Sequence, residues 1–249
     1  MIQKILSIGC LLLAFPSFAQ EITSPFYQPE LGHILTKTEG LFQKNKWKRT
    51  PTQKQYLREL TQDLVVGLGA GFSAQISGEM NWNKHKTPSF SRPHTKAYGA
   101  GLAWQVPTEK VHLRFETNYQ QTTDVDFSPR RQLGTHIYLG KTLNKMTPYL
   151  HLNGQFPLNA RPDFNSPIYR AETGVFQNVN KNVTLDSALF ASYDKNIKGR
   201  SYGIRMEVAY LITSNVAIAL NGEWTAKGRA ENRSHLYHQQ IGTNIRFAF

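Results

Sequence analysis

A catalytic or metal centre in this chain would have to be built around its eight histidines, since it has a single cysteine. Metal ligands must converge at fixed distances. His235 and His238 are three residues apart, which in an extended chain places them on opposite faces. His85 and His94 share the polar loop NKHKTPSFSRPH, with no carboxylate beside them. A Ser–His–Asn hydrolase centre at a lipid rim would need all three side chains on one side of the wall. His151 and Asn153 share one face of their segment, whereas Ser187 lies between Leu185 and Leu189 on an apolar face. Residues on opposite sides of a wall form no charge relay, so no catalytic, cofactor or metal site is expected.

The other residues able to do chemistry are charged, and they recur at alternate positions. The set is His112, Arg114 and Glu116; His136; His151; Arg170 and Glu172; Arg205 and Glu207; Glu223; and Arg246, joined by Tyr149, Asn153, His238 and Asn244. Between them stand apolar residues: Val111, Leu113 and Phe115 around the first group, and Ile204, Met206 and Val208 around Arg205 and Glu207. A period of two means extended strands with one polar and one apolar face. The longest such run is Leu64–Trp82, in which Val66, Leu68, Phe72, Ile76 and Met80 alternate with glycine or polar residues. It reads as one strand of well over 50 Å at about 3.3 Å per residue. Gly67, Gly69 and Gly71 have the spacing of a strand face, and no helix follows them as a dinucleotide loop would require.

The strands are separated by connections that are alternately short and long. Short turns are expected at Thr61-Gln62-Asp63, Pro107-Thr108-Glu109, Leu143–Lys145, Lys181-Asn182 and Thr213-Ser214-Asn215, with long, charged or proline-bearing loops between them. This gives about 12 strands in six hairpins, with both ends on the short-turn side. An apolar outer face in lipid leaves no place for an unpaired edge, so the sheet must close. The expected fold is all-β: a closed antiparallel transmembrane β-barrel over residues 32–249, with short periplasmic turns and long extracellular loops. Trp47, Trp82, Tyr119 and Trp224 would form one aromatic girdle, and Trp104, Tyr149 and Tyr210 the other. A secreted β-sandwich would need no girdles and would use shorter strands.

Residues 1–19, MIQKILSIGCLLLAFPSFA, have the basic start, short apolar core and small-residue cleavage site of a secretory signal. Cys10 lies inside it, leaving no thiol chemistry beyond. Residues 20–31, with Pro25 and Pro29 and no alternation, read as a periplasmic lead-in. A hydrophobic fraction of 40% and a mean hydropathy of −0.45 suit a barrel, in which only every second strand residue meets lipid. The net charge of +12 in an exported chain points to lipid head groups or solutes before nucleic acid.

The C-terminal strand HLYHQQIGTNIRFAF carries Tyr237, Ile241, Ile245, Phe247 and the terminal Phe249 on one face. It resembles the C-terminal assembly signal of bacterial outer-membrane β-barrels, with Asn244 where glycine is commoner and Gly242 two residues earlier. The resemblance implies the outer membrane of a Gram-negative cell envelope and the barrel-assembly machinery as a partner. In size and strand number the chain is similar to small twelve-stranded porins for acidic sugars, and equally to the outer-membrane phospholipase and lipid A deacylase barrels.

Charged groups inside such a wall must be paired or hydrated. They either fill the barrel with a salt-bridge network or line a narrow pore. In a pore, Arg114, Arg170, Arg205 and Arg246 would attract anions, while Glu116, Glu172, Glu207 and Glu223 would keep binding weak. The expected function is a small passive channel for small, anionic solutes. The alternative is a closed structural or surface barrel touching lipopolysaccharide through basic loops, such as those holding Lys44, Lys46, Lys48 and Arg49, Lys84, Lys86 and Arg92, or Arg130 and Arg131. A membrane-embedded lipid hydrolase comes third. The sequence sets no oligomeric state.

Overall fold

The computed structural model describes residues 22–47, 54–85, 95–106, 108, 110–124, 129–159, 165–196, 198–229 and 236–249. Residues 1–19, expected as a signal segment, His94, His235 and the basic residues Lys48, Arg49, Lys86 and Arg92 lie outside them, as do the side chains of Trp47, His85, Tyr237 and His238. Twelve strands run in chain order: β1 (Ile34–Trp47), β2 (Lys54–Gly69), β3 (Phe72–His85), β4 (Thr95–Gln105), β5 (Val111–Asp124), β6 (Arg130–Lys141), β7 (Met146–Pro157), β8 (Ile168–Asn178), β9 (Val183–Asp194), β10 (Gly199–Thr213), β11 (Val216–Arg229) and β12 (Leu236–Ala248). Each pairs antiparallel with its sequence neighbours, and β12 pairs with β1 from Leu35↔Ala248 to Trp47↔Leu236, closing the barrel. Phe249 completes the seam, since its amide donates to the Ile34 carbonyl (2.8 Å) and the Ile34 amide donates back (2.9 Å).

The alternation works as the sequence implies. Ile76, Leu102, Leu139, Leu189, Val208, Ile212 and Ile241 stand exposed on the outer face, where a soluble domain would bury them. Every backbone group of a closed barrel finds its partner within the wall, and such an apolar belt suits hydrocarbon. The twelve strands have 11 to 16 residues, against the roughly 9–11 needed to cross hydrocarbon, so most project beyond it. Outward-facing Phe72, Trp104 and Phe115 form an aromatic ladder at the short-turn rim, with ring centroids 6.2 and 6.0 Å apart. Tyr149 is no part of that girdle: it is buried inside the barrel.

The run Leu64–Trp82 is not one strand. It contains a hairpin that turns at Ala70-Gly71, and residues 61–63 lie within β2 rather than in a turn. Ala70 and Gly71 both have positive φ (52° and 78°), as a tight two-residue hairpin requires. A plain two-residue turn would shift the outward set from even to odd numbers, because the residues flanking the turn share a face. Here the register jumps between Gly67↔Ser73 and Gly69↔Phe72, leaving Leu68 as an extra residue. That bulge restores the parity, so Val66 faces Ala74 and Leu64 faces Ile76. A bulge and a turn together look like unbroken alternation.

Candidate functional site in the barrel interior

Register determines which charges meet inside the wall. Glu172 of β8 sits between Phe190 of β9 and His151 of β7, and Asp186 of β9 lies opposite Glu207 of β10. Arg205 donates from Nη2 to Asp186 Oδ2 (2.9 Å) and to the Tyr149 hydroxyl (2.7 Å), and from Nε to Glu172 Oε2 (3.3 Å). Tyr149 in turn donates to Asp186 Oδ1 (2.7 Å). Arg170 donates to Glu172 Oε1 (2.6 Å) and holds both oxygens of Glu223 (3.1 and 2.7 Å). β8 and β11 are not neighbours, so this last pair spans the interior. The Arg170 guanidinium also lies 4.1 Å from the centroid of the Phe190 ring. His151 approaches Glu172 (3.6 Å), and His136 approaches His151 (3.1 Å). Glu172 is the hub, touched by two arginines and a histidine while only 5% exposed.

The other two arginines do something the sequence did not reveal. The segment Ile22–Leu31, expected only as a lead-in, folds into the short-turn mouth of the barrel. Arg246 pairs with Glu207 and donates from Nη1 to the carbonyls of Thr23 (3.0 Å) and Ile22 (3.3 Å). Asn244 braces this pair, donating to Glu207 (3.1 Å) and accepting from Arg246 Nε (3.0 Å). Across the mouth, Arg114 donates to Glu116 (3.0 Å) and to the carbonyls of Tyr27 (3.2 Å) and Pro25 (3.4 Å). Between these anchors Phe26, 4% exposed, stacks on His112 (4.8 Å) and meets Tyr138 and Tyr149 edge-on (6.3 and 6.0 Å). Ile22 packs against Leu211 and Ala217. The barrel wall makes room for the segment: a Cβ at Gly140 would lie 2.5 Å from the Phe26 ring, and one at Gly67 would lie 1.9 Å from the Glu30 carbonyl oxygen. The signals available in sequence were the apolar Ile22 and Phe26 in a segment without alternation, facing inward glycines on distant strands.

The wall from β3 to β7 is of another kind. Gln75, Ser77, Asn118, Gln120, Gln132 and Gln155 line a recess of about 180 Å³ with His136 at its side. Gln132 donates to Gln120 (2.5 Å), and Gln120 donates to Glu79 (3.2 Å). These amides offer both donors and acceptors and no net charge. Nearer the mouth a crevice of about 600 Å³ separates the N-terminal segment from the β2–β3 turn and the β4–β5 connection. On β1–β3, Glu39 and Glu79 both stand beside Thr61 in the register, and the Thr61 hydroxyl donates to Glu59 (3.2 Å).

The described residues singled out from sequence can therefore be placed. His112, Arg114, Glu116, Arg246 and Glu207 hold the mouth segment or border it. His136, His151, Arg170, Glu172, Arg205 and Glu223 form the ionic and histidine wall. All four arginines are tied to carboxylates rather than presenting open guanidiniums. Ser187 lies outward between Val175 and Met206, away from His151 and Asn153. In the C-terminal strand Ile241, Ile245 and Phe249 are exposed outward, and Phe247 stacks on Phe249.

No protein family and no curated protein matches the chain in sequence. Solved structures match its fold. An outer-membrane channel from Pseudomonas putida F1 superposes with a TM-score of 0.72 over 91% of this chain and 98% of its own, at 9% identity. The NanC porin gives 0.58 over 84% of this chain and 98% of its own, also at 9% identity. The translocator domain of the autotransporter NalP from Neisseria meningitidis gives 0.52 over 91% and 92%, again at 9% identity. The fold is that of a bacterial outer-membrane β-barrel.

Proposed function

We propose that this chain is a passive channel of the bacterial outer membrane for small polar solutes, with the N-terminal segment forming its constriction. The observation that carries this reading is the inverted barrel: charged and amide side chains inside, apolar ones outside. Away from the apolar clusters around Phe26 and Ile22, an interior of this kind holds water rather than a packed hydrophobic core. The amide-lined side from β3 to β7 is the path for solute, because the opposite side is locked by the Arg170–Glu172–Arg205 network. The likeness in fold to a channel and a porin agrees with this. The arginines are neutralised by carboxylates, and Glu79 of β3 adds negative charge, so the path prefers neutral and cationic solutes to the anions expected from arginine alone.

One observation favours a second reading, a closed structural or surface-contact barrel: the N-terminal segment is held at both ends by arginines and between them by the Phe26 cluster. Swelling of proteoliposomes in isotonic solutions of small neutral polar solutes separates the two. Swelling that slows with solute size supports the channel, and its absence from folded barrels supports the closed form. The terminal Phe249 strand is proposed to meet the barrel-assembly machinery during insertion.

A further inference from the structure

The outer face of the barrel is not uniformly convex. Where β12, β1 and β2 meet, a groove of about 730 Å³ has Gly40 as its floor and Phe42, Leu60 and Ile241 as walls. Arg58 and Trp82 stand at one end of it. The register explains the shape. Phe42, Arg58 and Trp82 form one row across β1–β3, and Gly40 and Leu60 form part of the row below. Gly40 leaves a gap where a side chain would stand, since a Cβ there meets no atom within 4 Å.

Depth determines what this groove faces. Hydrocarbon is crossed by roughly 9–11 tilted strand residues. Counted along β2 from Gly69 at the short-turn rim, that distance ends close to Arg58. The short turns face the periplasm in barrels of this kind, so the Arg58 row lies at the outer head-group level. Tryptophan favours that level, and a guanidinium there binds phosphate by paired hydrogen bonds. The groove below it lies within hydrocarbon.

We propose that this groove is a binding site for one outer-leaflet lipid with a phosphorylated head group. An acyl chain lies over Gly40 beside Leu60, below Phe42 and Ile241, and the phosphate sits on Arg58. The inference rests on the membrane placement proposed above and not on conduction, since a barrel that passes no current binds the lipid equally well.

The test is native mass spectrometry of the full chain in mild detergent, titrated with lipid A and with the same lipid stripped of its phosphates. Each variant is first shown to be a folded barrel by its heat-shifted gel mobility. One lipid A is expected on the wild type, bound roughly fivefold more weakly by Arg58→Gln. Gly40→Leu should lose it, with Gly40→Ala giving a smaller loss if the larger residue does not fold. Gly78→Leu, at an equally open position outside the groove, should bind as wild type. Equal affinity for the dephosphorylated lipid, unchanged binding by the Gly40 variants, or dimer ions in place of the lipid adduct would each overturn the proposal.

Discussion

Replacing Phe26 with alanine should free the N-terminal segment without unfolding the barrel. The ring is 4% exposed and touches His112, Tyr138 and Tyr149, so its removal costs about 3–5 kcal/mol of buried contact and cavity formation. The barrel ladders do not depend on Phe26, so that loss falls on the equilibrium between a seated and a lifted segment. At about 1.4 kcal/mol per factor of ten, the lifted fraction rises roughly two to three and a half orders of magnitude. Thr23, buried at the Arg246 end, gives the readout. In a background lacking Cys10, Thr23→Cys is labelled by a membrane-impermeant maleimide only when the segment lifts. Labelling should therefore speed up about 100- to 4,000-fold when Phe26→Ala is added. An unchanged labelling rate in a folded barrel would show that Phe26 does not hold the segment, and the reasoning would fail.

Two further substitutions probe the same interior. Glu172→Gln removes the hub shared by Arg170, Arg205 and His151, leaving buried guanidinium groups short of a counter-charge, and should cost about 3–5 kcal/mol in urea unfolding from vesicles. A loss below about 1 kcal/mol would mean that water already solvates the network. Gly67→Val places a side chain where the Glu30 carbonyl lies, so it should displace the mouth segment and raise solute flux with little change in unfolding midpoint. Unchanged flux would place the constriction elsewhere.

The faces of the wall were legible in sequence because lipid and water impose a period of two that any strand must obey. Arg205 and Glu207 face inward and Ile204 and Met206 outward for that reason alone. The β2–β3 hairpin was hidden because the bulge at Leu68 cancels the change of parity made by the Ala70-Gly71 turn. The ion pairs were out of reach for another reason. Arg170 finds Glu223 53 residues later in the chain, a distance set by the closure and stagger of the whole barrel. The mouth segment depends on still more remote partners, with Arg246 lying 223 residues from Thr23. The apolar Ile22 and Phe26 are the local signals in Ile22–Leu31, and they do not say which distant strands receive them.

Single-channel current through the purified barrel, in a planar bilayer under a salt gradient, tests the central claim most directly. The account predicts discrete, low-conductance steps with a weak cation bias in the reversal potential, and larger steps when residues 22–31 are released by Phe26→Ala. A strong anion bias would contradict the assignment of the arginines to the wall. Silence from folded barrels, before and after that release, would contradict the channel itself.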